Sequence, residues 1–168
     1  MPSVWRIARR QHALDRLGIG GRDAGGRWNR PGTPVIYAGR TIAIAALEKL
    51  VHLADIVPND LVLVRIDLPP NGSAEEVTAA NLPRGWDAVP AAPASIEFGT
   101  RWAHERRSLV LYVPSALVRE ETNAVLNPRH PEFPGVTMSI ERRFSYDGRL
   151  LLARRGGTSG LRPGGGTR

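Results

Sequence analysis

The chain has 168 residues, 42% hydrophobic and 23% charged, the composition of one globular domain and not of a disordered or fibrous chain. It contains no cysteine, which excludes disulfide staples, thiolate catalysis and cysteine-ligated zinc. The net charge is +7, and 22 of the 23 basic residues are arginine, a usage that reflects either coding bias or planar, forked contacts with phosphates and carboxylates.

The charge sits at the ends. Eight arginines in residues 1–40 face Asp15 and Asp23, and seven in residues 141–168 face Glu141 and Asp147. Such a distribution attracts polyanions, anionic cofactors or an acidic partner without choosing among them. The first ten residues lack the apolar run of roughly 7–15 residues that a signal peptide needs, and no stretch approaches a membrane span, so a cytoplasmic location is expected.

In chain order, Val4–Ala8 alternates apolar with polar residues and predicts a strand. Residues 18–34 carry glycine at 18, 20, 21, 25, 26 and 32 and proline at 31 and 34, which predicts a loop. A strand is expected at Val35–Ala38 and a helix at Thr41–Leu53, a run of helix formers without glycine or proline. Leu61–Leu68 reads as a buried strand closed by the turn signal Pro69-Pro70-Asn71-Gly72. Ser73 and Glu76 have capping-box spacing and predict one or two helical turns.

Residues 81–95, with Pro83, Pro90 and Pro93, read as a loop, followed by a helix at Ile96–Arg107. Strands are expected at Leu109–Val113, Asn123–Leu126 and Thr137–Phe144. Residues 153–168 form a glycine-rich basic tail expected to be flexible. The fold class is therefore α+β, a compact mixed domain over residues 1–152 followed by that tail.

Common chemical motifs are missing. The glycines never give G-x-G-x-x-G, the single lysine is not in a phosphate loop, and His12, His52, His104 and His130 lack metal-ligand spacing, so no metal is expected. Ser115 lacks the context of a hydrolase elbow. What remains is polar residues at the ends of elements. Arg27 follows two glycines, where backbone approaches a ligand closely and a guanidinium reaches a diphosphate. Glu48 falls at the border of the helix's apolar face; the wheel alone fits a solvated face of Thr41, Glu48, Lys49 and His52 better than a cleft-lining carboxylate.

Five segments in order carry a resemblance: Gly25-Gly-Arg-Trp-Asn29, Thr33-Pro-Val-Ile-Tyr37, Ala46-Leu-Glu48 with His52, Val113-Pro-Ser-Ala116, and Asn123 followed by Asn127-Pro-Arg-His130. Over about residues 4–135 the chain resembles the RES-domain family, toxins of bacterial toxin–antitoxin pairs with a fold similar to diphtheria-toxin-like ADP-ribosyltransferases. The resemblance implies NAD as substrate, an antitoxin with a helix-turn-helix DNA-binding domain as partner, and neither membrane nor direct nucleic-acid binding. It matches Arg27, Glu48 and Ser115 to the family's arginine, glutamate and serine, Tyr37 to its tyrosine, and Arg6 and Asn127 to further family positions.

Those residue types suit cleavage of the nicotinamide–ribose bond, where positive charge develops on the ribose. Glu48 would stabilise that charge or accept from a ribose hydroxyl, Tyr37 would stack on nicotinamide, and Arg27, with Arg6, would fork the diphosphate. Ser115 would donate to a phosphate or amide oxygen, or merely turn the chain. ADP-ribose passing to water or phosphate, with NAD depletion as the toxic event, is the expectation; transfer to a specific cellular protein is the alternative. From other classes, a basic nucleic-acid-binding module would show steep salt dependence, and a pure partner-binding protein would show no turnover.

Overall fold

The computed structural model describes residues 2–53 and 57–151. The strands are β1 (Ser3–Arg9), β2 (Ile36–Gly39), β3 (Leu61–Asp67), β4 (Ala74–Glu76), β5 (Val110–Pro114), β6 (Thr122–Leu126) and β7 (Thr137–Arg143). The α-helices are α1 (Ile19–Ala24), α2 (Ile42–Val51) and α3 (Pro93–Glu105), with three short 3₁₀ turns between elements. Helices and one large sheet bear out the mixed class expected from the sequence. The proposed flexible tail lies outside the described residues.

The seven strands form one sheet in the order β4-β5-β6-β2-β1-β3-β7, antiparallel except for the β4–β5 pair. β1 and β3 pair along their whole length, whereas β1 and β2 meet only at Trp5 and Gly39. The sheet is thus two halves hinged at one residue pair, and α2 lies over that junction.

Alternation along the strands separates the two faces. Val4, Val64, Tyr112 and Leu126 turn to the side filled by Phe133 and Val136. On the other side, Ile7, Leu61 and Leu63 pack beneath Ala45 and Leu50 of α2. Beside them Leu111, Val113 and Val125 pack with Trp28, Trp86 and the fully buried Trp102, which lies on α3. The Trp102 indole donates to Ser108 Oγ at 2.9 Å, so its polar atom is satisfied as well.

Two expectations are overturned. Ser73–Glu76 forms no helical turn: Ser73 Oγ donates to Glu132 Oε2 and accepts from the Leu109 N–H, and residues 74–76 pair with β5. The side chain that would cap a helix is committed to distant segments, and sheet pairing prevails. Within the loop expected over 18–34, residues 19–24 form α1, where Gly21 admits the Val35 backbone that a Cβ would strike. The second long helix starts at Pro93, three residues ahead of expectation, with proline in the first turn where its missing N–H costs nothing.

Candidate active site

Glu48 is on α2, and three local features aim it. Thr41 caps the helix, accepting from the Ile44 N–H at 3.2 Å, and donates to Glu121 Oε2 at 3.3 Å. Gly39 lets the helix sit directly on the sheet, since a Cβ there would come 2.7 Å from Ala45 N. Glu121 also accepts, through its carbonyl, the Ser115 N–H at 2.8 Å, so one residue ties the helix start to the segment after β5.

Across from the helix, Ser115 Oγ donates to Glu48 Oε1 at 2.8 Å, and Asn123 Nδ2 on β6 donates to the same oxygen. Among the described residues no partner bonds Oε2. Ser115 Oγ also accepts from the N–H groups of Leu117 at 3.0 Å and Val118 at 3.3 Å. Its one hydrogen therefore goes to the carboxylate and not to a phosphate or amide oxygen, and its lone pairs turn the chain. Glu48 is half-buried, which departs from the solvated face that the wheel favoured. Its neighbour Lys49 is also half-buried, with its pKa lowered first by burial and then by the charges of Arg6 and Arg9.

Tyr37 shares this face of the sheet: it pairs with Val125, while the next position on that face, Gly39, pairs with Asn123. Its hydroxyl donates to Asn29 Oδ1 at 2.6 Å and accepts from the Trp28 N–H at 3.0 Å. Burial drives the phenol pKa well above the usual tyrosine range. The hydroxyl fills the space in front of Gly26, where a Cβ would come 2.6 Å from it. Tyr37 thus tethers the Gly-Gly-Arg-Trp-Asn loop to the sheet. Asn29, 1% exposed, completes the tether by donating to the carbonyls of Gly21 and Thr33. Sequence reasoning gave Asn29 no role of its own, and its signal was its place at the end of the matching segment Gly25–Asn29.

That loop presents Arg27. Its Nη1 donates to the carbonyls of Trp86 at 2.7 Å and Ala88 at 2.8 Å, binding the loop to residues 86–88. The edge formed by Nε and Nη2 carries no bond to a described residue, and a forked contact with an oxyanion needs that edge.

Arg6 and Asn127 are placed differently. Arg6 pairs with Val64, on the opposite side of β1 from Ile7, and no ion pair joins it to Glu48. Its pKa is lowered by burial, with Asp15 acting in the other direction. Asn127 is at the far end of β6, about 13 Å of strand from Asn123. Its Nδ2 donates to the Ala103 carbonyl at 2.8 Å and its Oδ1 accepts from the Arg129 N–H at 3.0 Å, a structural use of both ends. The asparagine that meets Glu48 is Asn123.

Two buried side-chain atoms among the described residues have no hydrogen-bond partner, Arg6 Nη1 and Asn123 Oδ1. Asn123, Gly39 and Trp5 stand in one row across β6, β2 and β1, which puts Asn123 about 10 Å from the strand position next to Arg6. Strand alternation turns Arg6 to the face of β1 away from α2, so the unmatched atom on the Glu48 side is Asn123 Oδ1, an acceptor that suits a ligand bringing a hydroxyl group. Two cavities elsewhere among the described residues, of about 230 Å³ by Arg10 and Asp60 and about 90 Å³ by His104 and Asn127, do not touch Glu48. No group of side chains able to hold a metal occurs among the described residues.

The model of the RES domain matches residues 3–147. The chain belongs to the RES domain family. Among curated RES relatives, the Prs ADP-ribosylating toxin of Sphingobium sp. (strain YBL2) is 44% identical over 155 residues, covering 89% of this chain and 96% of that protein. Toxin Res of Pseudomonas putida is 38% identical, covering 88% and 99%. Toxin Res of Photorhabdus laumondii is 34% identical, covering 90% and 99%. One chain in the crystal structure of the M. tuberculosis MbcT–MbcA toxin–antitoxin complex shares the fold, with a TM-score of 0.63 at 18% identity over 92% of this chain and 88% of that one. No described helix of this RES domain is long and apolar enough to cross a membrane.

Proposed function

We propose that the protein is the toxin of a toxin–antitoxin pair and that it cleaves the nicotinamide–ribose bond of NAD, with Glu48 as the catalytic carboxylate. The observation that carries this reading is a glutamate whose Oε1 is fixed by Ser115 and Asn123 while Oε2 is left open, beside the buried and unmatched Asn123 Oδ1. The relatives named as toxins, one of them ADP-ribosylating, point the same way.

As the bond to nicotinamide lengthens, C1′ of the ribose becomes cationic. A carboxylate held in place by two donors stabilises that charge without having to reorient, which is the advantage of a preorganised site over water. The open edge of Arg27 would take the diphosphate, and the Tyr37 ring would flank the nicotinamide. The leaving group is neutral nicotinamide and needs no acid.

ADP-ribose then passes to an acceptor. A small acceptor was expected from the sequence, but the 44% identical relative is named for ADP-ribosylating Prs, and this favours transfer to a protein. A partner antitoxin with a helix-turn-helix DNA-binding domain would hold the enzyme inactive in the cytoplasm. The test is incubation of the free protein with NAD labelled in the adenylate half, with and without cell extract. Nicotinamide release with label fixed on one protein band supports transfer to protein. Release with label only in free ADP-ribose, in both samples, supports depletion. No release in either sample refutes the reading.

A further inference from the structure

We infer that Asn123 is a second substrate-binding residue, which with Glu48 grips the cis-diol of the nicotinamide-side ribose; this rests on the NAD reading above. The amide orientation is fixed by its partner. A carboxylate oxygen only accepts, so the group facing Glu48 Oε1 must be the NH₂, and the carbonyl Oδ1 must point elsewhere. There it is buried and receives no hydrogen bond. An acceptor shielded from water and left unmatched is disfavoured in the free protein, and a ligand donor relieves it.

What the donor is follows from position. Asn123 and Glu48 are joined through Oε1, so Oδ1 and the open Oε2 are two acceptors on one rigid unit. A vicinal cis-diol brings two O–H donors on adjacent carbons. If Oε2 faces C1′, the 2′- and 3′-hydroxyls are the substrate donors nearest to it, whereas the nicotinamide amide is carried away on the far side of the ring. Phosphates offer only acceptors and suit Arg27, not this oxygen. Because Oδ1 is shielded in the free protein, binding must shift the groups that cover it.

The experiment measures nicotinamide release from NAD and from analogues lacking the 2′- or the 3′-hydroxyl on that ribose, for wild type, Asn123→Ala and Asn123→Asp. Taking the wild-type-to-variant ratio for each substrate cancels the intrinsic reactivity of the deoxy sugars. Wild type is expected to lose roughly 10- to 100-fold on removal of the contacted hydroxyl, and Asn123→Ala to lose a similar factor on NAD while becoming nearly indifferent to that hydroxyl. Asn123→Asp keeps the shape and the acceptor should the alanine variant not fold. It is expected to retain the hydroxyl dependence and to move the acid limb of the pH–rate profile upward, because two adjacent carboxylates resist ionising together. Equal hydroxyl dependence in wild type and Asn123→Ala, or its loss in Asn123→Asp, overturns the inference. Wild type that releases nothing from NAD overturns the underlying reading instead.

Discussion

The two ends of β6 carry the same residue type in opposite conditions. At the end beyond Leu126, Asn127 is 1% exposed and both halves of its amide are bonded, to Ala103 and Arg129. At the other end Asn123 has one half bonded to Glu48 and the other unmatched. A fully satisfied polar group in a core is part of the scaffold, because it gains nothing from a ligand. A half-satisfied one stores capacity, and it stands where α2, β6 and the turn after β5 converge on a carboxylate. The difference separates scaffold from site more sharply than residue type or motif membership does.

The largest expected effect falls on the carboxylate. Glu48→Gln should lower nicotinamide release by roughly 10²- to 10⁴-fold, the range for a catalytic or charge-stabilising group, with thermal stability within a few degrees of wild type. Asn127→Ala should do the reverse, costing about 1–3 kcal/mol by leaving the Arg129 N–H unmatched and taking from the Ala103 carbonyl one of its two donors, while the folded fraction turns over at the wild-type rate. Denaturant titration beside a kinetic assay reads both. A catalytic loss in Asn127→Ala at full stability would break the contrast.

Gly39→Ala tests whether helix placement matters. The new Cβ would press on Ala45 N and Ile44 Cγ2, so the variant should lose about 1–3 kcal/mol through overpacking and should also turn over more slowly as Glu48 shifts. The last effect, on stability alone, concerns the tether. The Tyr37 phenol has a raised pKa in the folded state, so below about pH 10 both states are protonated and the tether is intact. Above that the unfolded state sheds its proton first, and stability falls as pH rises. Tyr37→Phe should be less stable at neutral pH by about 1–3 kcal/mol, with Asn29 Oδ1 and the Trp28 N–H left unmatched, and its alkaline decline should be shallower. Tyr112, also raised by burial, adds to the decline in both proteins. Melting curves between pH 7 and roughly 11 measure the difference.

Much of the fold was legible because local signals agreed with the tertiary outcome. Alternation at Val4–Ala8, the apolar run at Leu61–Leu68 and the uninterrupted helix formers after Thr41 each gave the observed element to within a few residues. Ser73–Glu76 misled because capping-box spacing records what Ser73 can do locally, and Glu132 and Leu109 bind it first. The glycines at 20 and 21 hid α1, though only Gly21 is there to admit the Val35 backbone, and a Cβ at Gly20 would meet nothing.

The site was legible in part. Motif order pointed to Glu48 and Ser115, which the structure joins by one hydrogen bond. The helical wheel could not, because it ranks positions by one helix's own apolar neighbours and knows nothing of Ser115 or Asn123 approaching from β5 and β6. Asn123 and Asn127 both belonged to the matching segment, and spacing cannot tell which end of a strand meets a distant helix. Only the register that sets Asn123 beside Gly39, under α2, decides it.

The most direct test is the structure of the Glu48→Gln variant bound to NAD. The account predicts the nicotinamide-side ribose against position 48 and Asn123, with its hydroxyls within hydrogen-bond distance of Asn123 Oδ1 and the diphosphate against the open edge of Arg27. Dinucleotide seated instead in the cavity by His104, Asn127 and Arg129, with Asn123 Oδ1 still unmatched, would contradict it.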